Sequence, residues 1–97
     1  MTAYVIFDLA PLDPVRMKGY LDGANASVKL FSGKLLAATG EVEPREGGWK
    51  PERIAIIEFP SLEKARGWYD SAEYQAVLPM RLKESSSDKM LIVPGLD

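Results

Sequence analysis

The sequence predicts an α+β fold in which helices cover an antiparallel sheet of four strands. Four short segments are rich in β-branched and aromatic residues, as strands are, and the longer segments repeat apolar residues with a helical period. The resulting order is β-α-β-β-α-β, the split βαβ arrangement of ferredoxin-like sandwiches. A chain of 97 residues has the length of one such unit, so we expect residues 1–97 to form a single domain.

Strand propensity and turn residues bound the four predicted strands. The first is Ala3–Leu9, and the second spans residues 34–43, where Gly40 marks a bulge or a close approach of the backbone. The third strand is Arg53–Phe59 and the last is Lys89–Pro94.

The first helix is predicted from a start signal, a stop signal and a periodic stripe. Asp13 is expected to be the N-cap, Pro14 the first helical residue and Gly33 the C-terminal stop. The apolar stripe between them consists of Met17, Tyr20, Leu21, Ala24, Val28 and Phe31.

A second helix is predicted after the third strand, with Ser61 as its N-cap. Ser71 or Asp70 is expected to restart a shorter helix that carries Tyr74. Pro79 should kink or end this helix, because a proline inside a helix removes a hydrogen bond and clashes with the preceding turn.

The composition excludes several classes of site and partner. The chain has no Cys and no His, which removes disulfides, thiolate nucleophiles, and His-ligated metals or haem. We therefore predict a protein with no cofactor and no metal, in which Asp, Glu, Lys or Tyr carries any acid–base chemistry. The net charge of −2, without a basic stripe, argues against nucleic acid, and no apolar run is long enough to span a membrane. A cytoplasmic location fits these features.

Both faces of the predicted sheet are apolar, and this predicts a homodimer. Residues 4–7, 54–57 and 90–93 are apolar at successive positions, whereas the helices can cover only one face. A second copy packed sheet to sheet would cover the other face. The alternative is that the turn-rich loop of residues 44–51, with Trp49 folded back, covers that face itself.

Several short motifs are spread over nearly the whole chain. They are Gly40-Glu41-Val42-Glu43, Trp49 with Pro51, Glu58-Phe59-Pro60-Ser61, Ala65 with Trp68-Tyr69, Ser71, Glu73-Tyr74-Gln75 and Arg81. Together they resemble a family of small bacterial proteins, the domain-of-unknown-function family numbered 1330. Phe31-Ser32-Gly33-Lys34 stands where that family commonly has Tyr-Gly-Gly-Arg, so a basic group is kept without the planar guanidinium. The resemblance implies a dimeric α+β barrel, a superfamily that includes cofactor-free monooxygenases, haem-degrading enzymes and muconolactone-type isomerases.

Two carboxylates, Glu58 and Asp8, are the candidate catalytic groups. Strand parity places Glu58 on the face of Ile54 and Ile56, where a carboxylate is a candidate general acid or base. A structural ion pair or a helix-capping contact is the alternative for Glu58. Asp8 is the weaker candidate, because antiparallel pairing of the first and third strands would bring it towards Arg53 in a salt bridge.

Aromatic residues near Glu58 predict a ligand-binding pocket between the helices and one end of the sheet. The predicted lining consists of Tyr20, Glu58, Trp68, Tyr69 and Tyr74. Arg81 is expected at the mouth, where it would bind an anionic group of the ligand. The alternatives are that these rings simply fill the core and that Arg81 forms a salt bridge with Glu73 or Glu84.

Three functions are compatible with such a pocket. An enzyme would bind a small organic acid or aromatic metabolite and transfer a proton through Glu58, in isomerase-like or cofactor-free monooxygenase-like chemistry. A binding protein would hold the same ligand without turnover. The third hypothesis is a structural accessory dimer with a filled core.

Overall fold

The computed structural model describes residues 1–9, 13, 15–84 and 88–97, and its elements follow the predicted order. The second helical segment is divided in two, so three helices accompany four strands in these residues. The strands are β1 (Ala3–Leu9), β2 (Lys34–Thr39), β3 (Arg53–Phe59) and β4 (Lys89–Pro94). The helices are α1 (Lys18–Leu30), α2 (Leu62–Asp70) and α3 (Ala72–Glu84).

The strands form one antiparallel sheet in the order β2-β3-β1-β4, which confirms the predicted α+β, ferredoxin-like fold. Alternate residues of β1 are buried, as expected for a sheet that is covered by helices on one side. We call the covered side the helix-side face; it carries Phe7, whose ring meets that of Trp68 in α2 edge to face. The opposite side, here called the open face, carries Tyr4, Ile6 and Asp8.

The open face continues across the neighbouring strands, because residues paired directly across antiparallel strands share a face. By this register its apolar members are Tyr4, Ile6, Ile54, Ile56, Leu91 and Val93. Leu91 is 61% exposed, and the other five are half-buried. The prediction that the sheet is apolar on both faces is therefore confirmed.

The bounds of β3 and β4 are as predicted, whereas β2 is shorter. It ends at Thr39, and its bulge lies between Leu35 and Ala37 rather than at Gly40. A Cβ at Gly40 would lie 2.9 Å from the backbone oxygen of Glu52. The close backbone approach, which was the other predicted role of Gly40, is therefore confirmed.

α1 begins later than the sequence predicts. The Asp13 carboxylate accepts hydrogen bonds from the backbone N–H groups of Val15, at 2.9 Å, and Arg16, at 3.4 Å. Asp13 thus caps a turn that precedes the helix, and the first helical residue is Lys18. The role predicted for Pro14 lies outside the described residues.

The end of α1 depends on Ser32 and on Gly33 for different reasons. Ser32, and not Gly33, has the left-handed backbone conformation, with a φ of 61°. A Cβ at Gly33 would lie 2.7 Å from side-chain atoms of both Phe59 and Val28. Glycine is thus required at position 33 by close packing, and its predicted role as the conformational stop is wrong.

Two serines begin α2 and α3, as predicted. The Ser61 hydroxyl accepts a hydrogen bond of 3.1 Å from the backbone N–H of Lys64, and the Ser71 hydroxyl accepts one of 3.1 Å from that of Tyr74. Pro79, however, neither ends nor divides α3, which continues to Glu84. Pro79 is exposed, so water can hydrate the carbonyl that its missing N–H leaves free.

Every helix in the described ranges is too short or too polar to cross a lipid bilayer.

Candidate functional site

The predicted aromatic residues converge on the helix-side face around Trp68, which is 0% exposed. The Trp68 ring centroid lies 4.3 Å from that of Tyr74, 5.4 Å from that of Phe59 and 6.2 Å from that of Tyr69. Tyr74 is also 0% exposed, whereas Tyr69 is half-buried. These rings fill the core at this end of the helix layer, which was the alternative to an open aromatic pocket.

Tyr20 of α1 joins this cluster through its hydroxyl. The hydroxyl oxygens of Tyr20 and Tyr74 are 2.9 Å apart in a buried hydrogen bond, and the two rings meet edge to face. Burial, followed by the neighbouring Tyr74, raises the pKa of Tyr20 well above its ordinary value, so Tyr20 is a neutral phenol.

Arg81 is buried next to these hydroxyls and does not lie at a mouth. Its guanidinium forms an ion pair of 3.2 Å with Asp88, and the two side chains are 5% and 1% exposed. The predicted position of Arg81 at the mouth of a pocket is therefore wrong. The alternative, a salt bridge with a carboxylate, is correct, but the partner is Asp88 and not Glu73 or Glu84. The guanidinium carbon also lies 5.4 Å from the centre of the Phe7 ring.

The environment of Arg81 keeps it charged. Burial acts to lower the pKa of Arg81, but Tyr74, Tyr20 and Asp88 act in the opposite direction and the net pKa is raised. Its Nε atom is the one buried side-chain nitrogen or oxygen without a hydrogen-bond partner among residues 1–9, 13, 15–84 and 88–97.

Glu58 lies on the open face, away from the aromatic cluster. It pairs with Tyr4 of β1 and Lys34 of β2, whereas the next residue, Phe59, is buried on the helix-side face against Trp68. The strand parity inferred from the sequence is correct, since Glu58 shares the face of Ile54 and Ile56. The predicted convergence of Glu58 with the aromatic residues is wrong, because that face points away from the helices.

Asp8 also lies on the open face, where it accepts a hydrogen bond of 2.9 Å from the indole N–H of Trp49. The loop between β2 and β3 therefore folds back over one end of the open face. This was the predicted alternative to a dimer. Asp8 pairs with Ile54 in the register, whereas Arg53 pairs with Leu9 on the helix-side face. The predicted salt bridge between Asp8 and Arg53 is wrong for this reason.

A cleft opens on the helix-side face between α1 and the β2–β3 half of the sheet. Its volume is about 90 Å³. It is lined by Phe7, Leu9, Tyr20, Leu21, Ala24, Asn25, Val28, Leu35, Ala38, Arg53, Ala55, Ile57 and Trp68. Leu21 and Leu35 are 37% and 50% exposed, which places them at its rim. Of the predicted ligand-binding residues, Tyr20 and Trp68 line this cleft, and Tyr69, Tyr74 and Arg81 are not among its described lining residues.

The sequence contained signals for this cleft that were not used. Tyr20, Ala24 and Val28 belong to the predicted stripe of α1, so one wall was already identified. Arg53 shares the parity of Ala55 and Ile57 in β3, which would have placed it on the same face as these two residues.

Within the described part of the chain, no three or more Asp or Glu side chains are grouped so that they could hold a metal ion. The described lining of the cleft has a single charged residue, Arg53, and it is positive. The cleft can thus surround an apolar group and offer one cation at its edge.

Comparison with known proteins identifies a family and a set of similar folds. The family model described as Domain of unknown function (DUF1330) matches residues 2–96. Among curated proteins, none matches the sequence.

Three solved structures illustrate the similarity of fold. A protein of unknown function from Rhodopseudomonas palustris is 13% identical with a TM-score of 0.67, covering 99% of this chain and 83% of the other. A candidate antibiotic biosynthesis monooxygenase from Caulobacter crescentus is 9% identical with a TM-score of 0.62, covering 99% and 90%. A dimeric protein of unknown function with a ferredoxin-like fold, from Bacteroides fragilis, is 14% identical with a TM-score of 0.56, covering 97% and 95%. At these identities the similarity concerns the fold alone.

Proposed function

The chain belongs to the DUF1330 family, and from this premise we propose that it binds a small organic acid with an apolar, preferably aromatic, body in the cleft. The observation that carries the proposal is the combination of apolar walls with the guanidinium of Arg53. Apolar walls with a few polar groups that fix orientation are typical of small-molecule sites.

The charge of the lining favours an anion over a cation. Arg53 is exposed, and one of its terminal nitrogens lies 3.4 Å from the backbone oxygen of Ala38. The remaining N–H groups of a guanidinium can bind a carboxylate through two parallel hydrogen bonds. An exposed ion pair adds little affinity by itself, so most of the affinity would come from burying the apolar body of the ligand.

The size of the cleft limits the ligand. A volume of about 90 Å³ is small beside the roughly 300–1,000 Å³ of most ligand pockets. The buried part of the ligand is therefore small, such as a single ring or a short branched chain, and its carboxylate lies at the rim beside Arg53.

A titration of the labelled protein with benzoate, followed by NMR, tests this proposal. Benzoate should shift the resonances of Ala24, Val28 and Ala55, which line the cleft. Ala24→Leu should abolish these shifts by filling the cleft, and Arg53→Gln should weaken binding up to about fivefold. The control is Arg66→Gln on the exposed side of α2, which should leave the affinity unchanged. Binding that survives Ala24→Leu would place the ligand elsewhere.

Proton-transfer catalysis through Glu58 is the second proposal, and the observation that favours it is that Glu58 shares the open face with Ile54 and Ile56, with Tyr4 and Lys34 as its cross-strand partners. Within one protomer the sheet separates Glu58 from the cleft, so such chemistry would take place on the open face. A second copy covering that face would exclude water from the carboxylate, which strengthens the electrostatic interactions of a general acid or base. Once a substrate is identified, Glu58→Gln should lower turnover by about 10²-fold or more if Glu58 transfers the proton. Full turnover in that variant would contradict the role.

We further propose that the protein is a homodimer joined through the open faces. The support is the apolar surface of Ile6, Ile56 and Leu91, together with the dimeric state described for the Bacteroides fragilis protein of similar fold. A stable interface of this kind buries about 1,600 Å² in total.

The cytoplasmic location and the lack of a metal or cofactor remain predictions. Metal analysis and absorption spectroscopy of the purified protein would check the lack of a metal or cofactor.

A further inference from the structure

The paired hydroxyls of Tyr20 and Tyr74 have one more proton than their own hydrogen bond uses. A phenol carries one proton and can also accept, whereas a guanidinium such as that of Arg81 can only donate. The bond of 2.9 Å between the two oxygens uses one of the two phenolic protons. Arg81 also hydrogen-bonds both hydroxyls, and because a guanidinium can only donate, it uses neither phenolic proton.

The surroundings of the two phenols indicate where the remaining proton can be donated. Tyr74 is 0% exposed and is enclosed by the rings of Trp68 and Tyr69. The nearby cation, Arg81, interacts electrostatically with both hydroxyls and offers them no acceptor. Tyr20 is 5% exposed and lines the cleft, so its hydroxyl is the member of the pair that can meet a bound molecule.

We propose that Tyr74 donates to Tyr20 and that the Tyr20 hydroxyl donates to an oxygen atom of a ligand bound in the cleft. Tyr74 is then a positioning residue, because its proton occupies one acceptor site of the Tyr20 oxygen and directs the Tyr20 proton outwards. The inference rests on the proposed function, since it assumes that the cleft binds a ligand.

The ligand class follows from two polar groups of the lining, the guanidinium of Arg53 and the hydroxyl of Tyr20. A carboxylate beside Arg53 leaves a second oxygen of the ligand for Tyr20, and a carbonyl, enolate or phenolate oxygen is the matching acceptor. The positive charge of Arg81 behind the phenols favours an oxygen that carries negative charge. The preferred ligands are therefore small acids with a second, acidic or carbonyl, oxygen.

The probe 5-hydroxy-2-nitrobenzoate tests this inference, because it carries a carboxylate and a phenol whose ionisation changes its visible absorbance. The bound probe is titrated with alkali in the wild-type protein and in Tyr20→Phe. The phenol of the bound probe should ionise about one pH unit lower in the wild type, a tenfold difference in the affinity for the ionised form. The analogue 2-nitrobenzoate, which lacks the hydroxyl, should bind both proteins within about twofold.

Two further variants separate donation by Tyr20 from a structural effect. Tyr74→Phe should shift the titration of the bound probe in the same direction as Tyr20→Phe, but by less. Tyr4→Phe removes a phenolic hydroxyl from the open face and should leave the titration unchanged. Circular dichroism and thermal unfolding of each variant establish that it is folded.

The outcomes distinguish this inference from the proposed function. If the probe binds and Arg53→Gln weakens it, while Tyr20→Phe leaves its ionisation unchanged, the inference is wrong and the proposed function stands. If benzoate binds but neither nitrobenzoate does, the inference is wrong and the proposed function stands. If neither benzoate nor a nitrobenzoate binds the wild-type protein, both the proposed function and the inference are wrong.

Discussion

The indole N–H of Trp68 donates a hydrogen bond of 3.0 Å to the hydroxyl of Ser27. That hydroxyl donates in turn to the backbone oxygen of Ala24, at 2.7 Å. Ser27 is 1% exposed, so this link joins α2 to α1 inside the core and beside the wall of the cleft. The Trp68 ring is thereby held in one orientation and presents only its apolar surface to the cleft.

Ser27→Ala should destabilise the fold by about 1–3 kcal/mol, because it leaves the buried indole N–H without its acceptor. Urea unfolding measures the free energy of unfolding. In a Trp68→Phe background, which has no N–H to satisfy, the same serine substitution should cost clearly less. Equal losses in the two backgrounds would contradict the coupling of Ser27 and Trp68.

Trp68→Ala should lower the free energy of unfolding by about 3–5 kcal/mol, because it empties the centre of the aromatic core. The matched control is Trp49→Ala, which removes a side chain that is 60% exposed and should cost within about 1 kcal/mol. Similar losses for the two variants would show that the core is not centred on Trp68.

Arg81→Met should destabilise the fold by about 3–5 kcal/mol, since it removes the guanidinium from a carboxylate that is 1% exposed. Lys18→Met breaks the exposed ion pair with Asp22 in α1 and should change stability little. Chemical unfolding of both variants provides the comparison. A negligible loss for Arg81→Met would contradict the burial of the Arg81–Asp88 pair.

Leu91→Glu should convert the proposed dimer to a monomer, because it places a charge on the apolar open face beside Ile6. Leu82→Glu is the control, since Leu82 is exposed on α3, on the other side of the sheet. Light scattering at micromolar concentration should show a dimer for the wild type and for Leu82→Glu, and a monomer for Leu91→Glu. A monomeric wild type would refute the dimer directly.

The contact between the two ends of the chain should depend on pH. The Asp97 carboxylate accepts a hydrogen bond of 2.7 Å from the Thr2 hydroxyl and one of 3.1 Å from the Thr2 backbone N–H. These hydrogen bonds lower the pKa of Asp97 below its ordinary value of 3.8. When folding lowers the pKa of a carboxyl group, that group stabilises the folded contact at pH values above the pKa of the unfolded chain. This contribution is lost as the pH falls through the pKa of the folded protein.

Amide hydrogen exchange at Gly95, whose N–H donates to Thr2 at 2.7 Å, should therefore accelerate below pH 4 beyond the intrinsic change. Asp97→Asn should show the faster exchange at neutral pH and lose this pH dependence. An unchanged exchange rate in Asp97→Asn would contradict the role of the carboxylate.

The sequence predicted the elements well where local signals and tertiary packing agree. β3 ends at Phe59 because Pro60 follows it and Ser61 caps the next helix. Both signals can be recognised in the sequence alone. The start of α1 was missed because Asp13 has the residue type of an N-cap but caps a turn. The left-handed Ser32 was missed because glycine is the usual residue for that conformation and Gly33 follows directly.

The site was only partly predictable, because β3 is apolar on both faces. Alternation correctly grouped Glu58 with Ile54 and Ile56, yet Ile57 and Phe59 on the other face are equally apolar. Nothing in a two-sided apolar strand says which face the helices cover, so the side of Glu58 could not be assigned. The buried partner of Arg81, Asp88, is seven residues away across the end of α3, a separation that helical spacing does not indicate.

The chain carries two tryptophans, and each reports on a different side of the sheet. The fluorescence of an indole responds to the polarity around it and to collision with dissolved quenchers. Trp68 lies beside the cleft and is shielded from such quenchers, whereas Trp49 lies over Asp8 on the open face and is accessible to them. The emission that iodide cannot quench therefore reports ligand binding, and the emission that iodide can quench reports dimer formation. One unlabelled sample thus allows both processes to be measured at once.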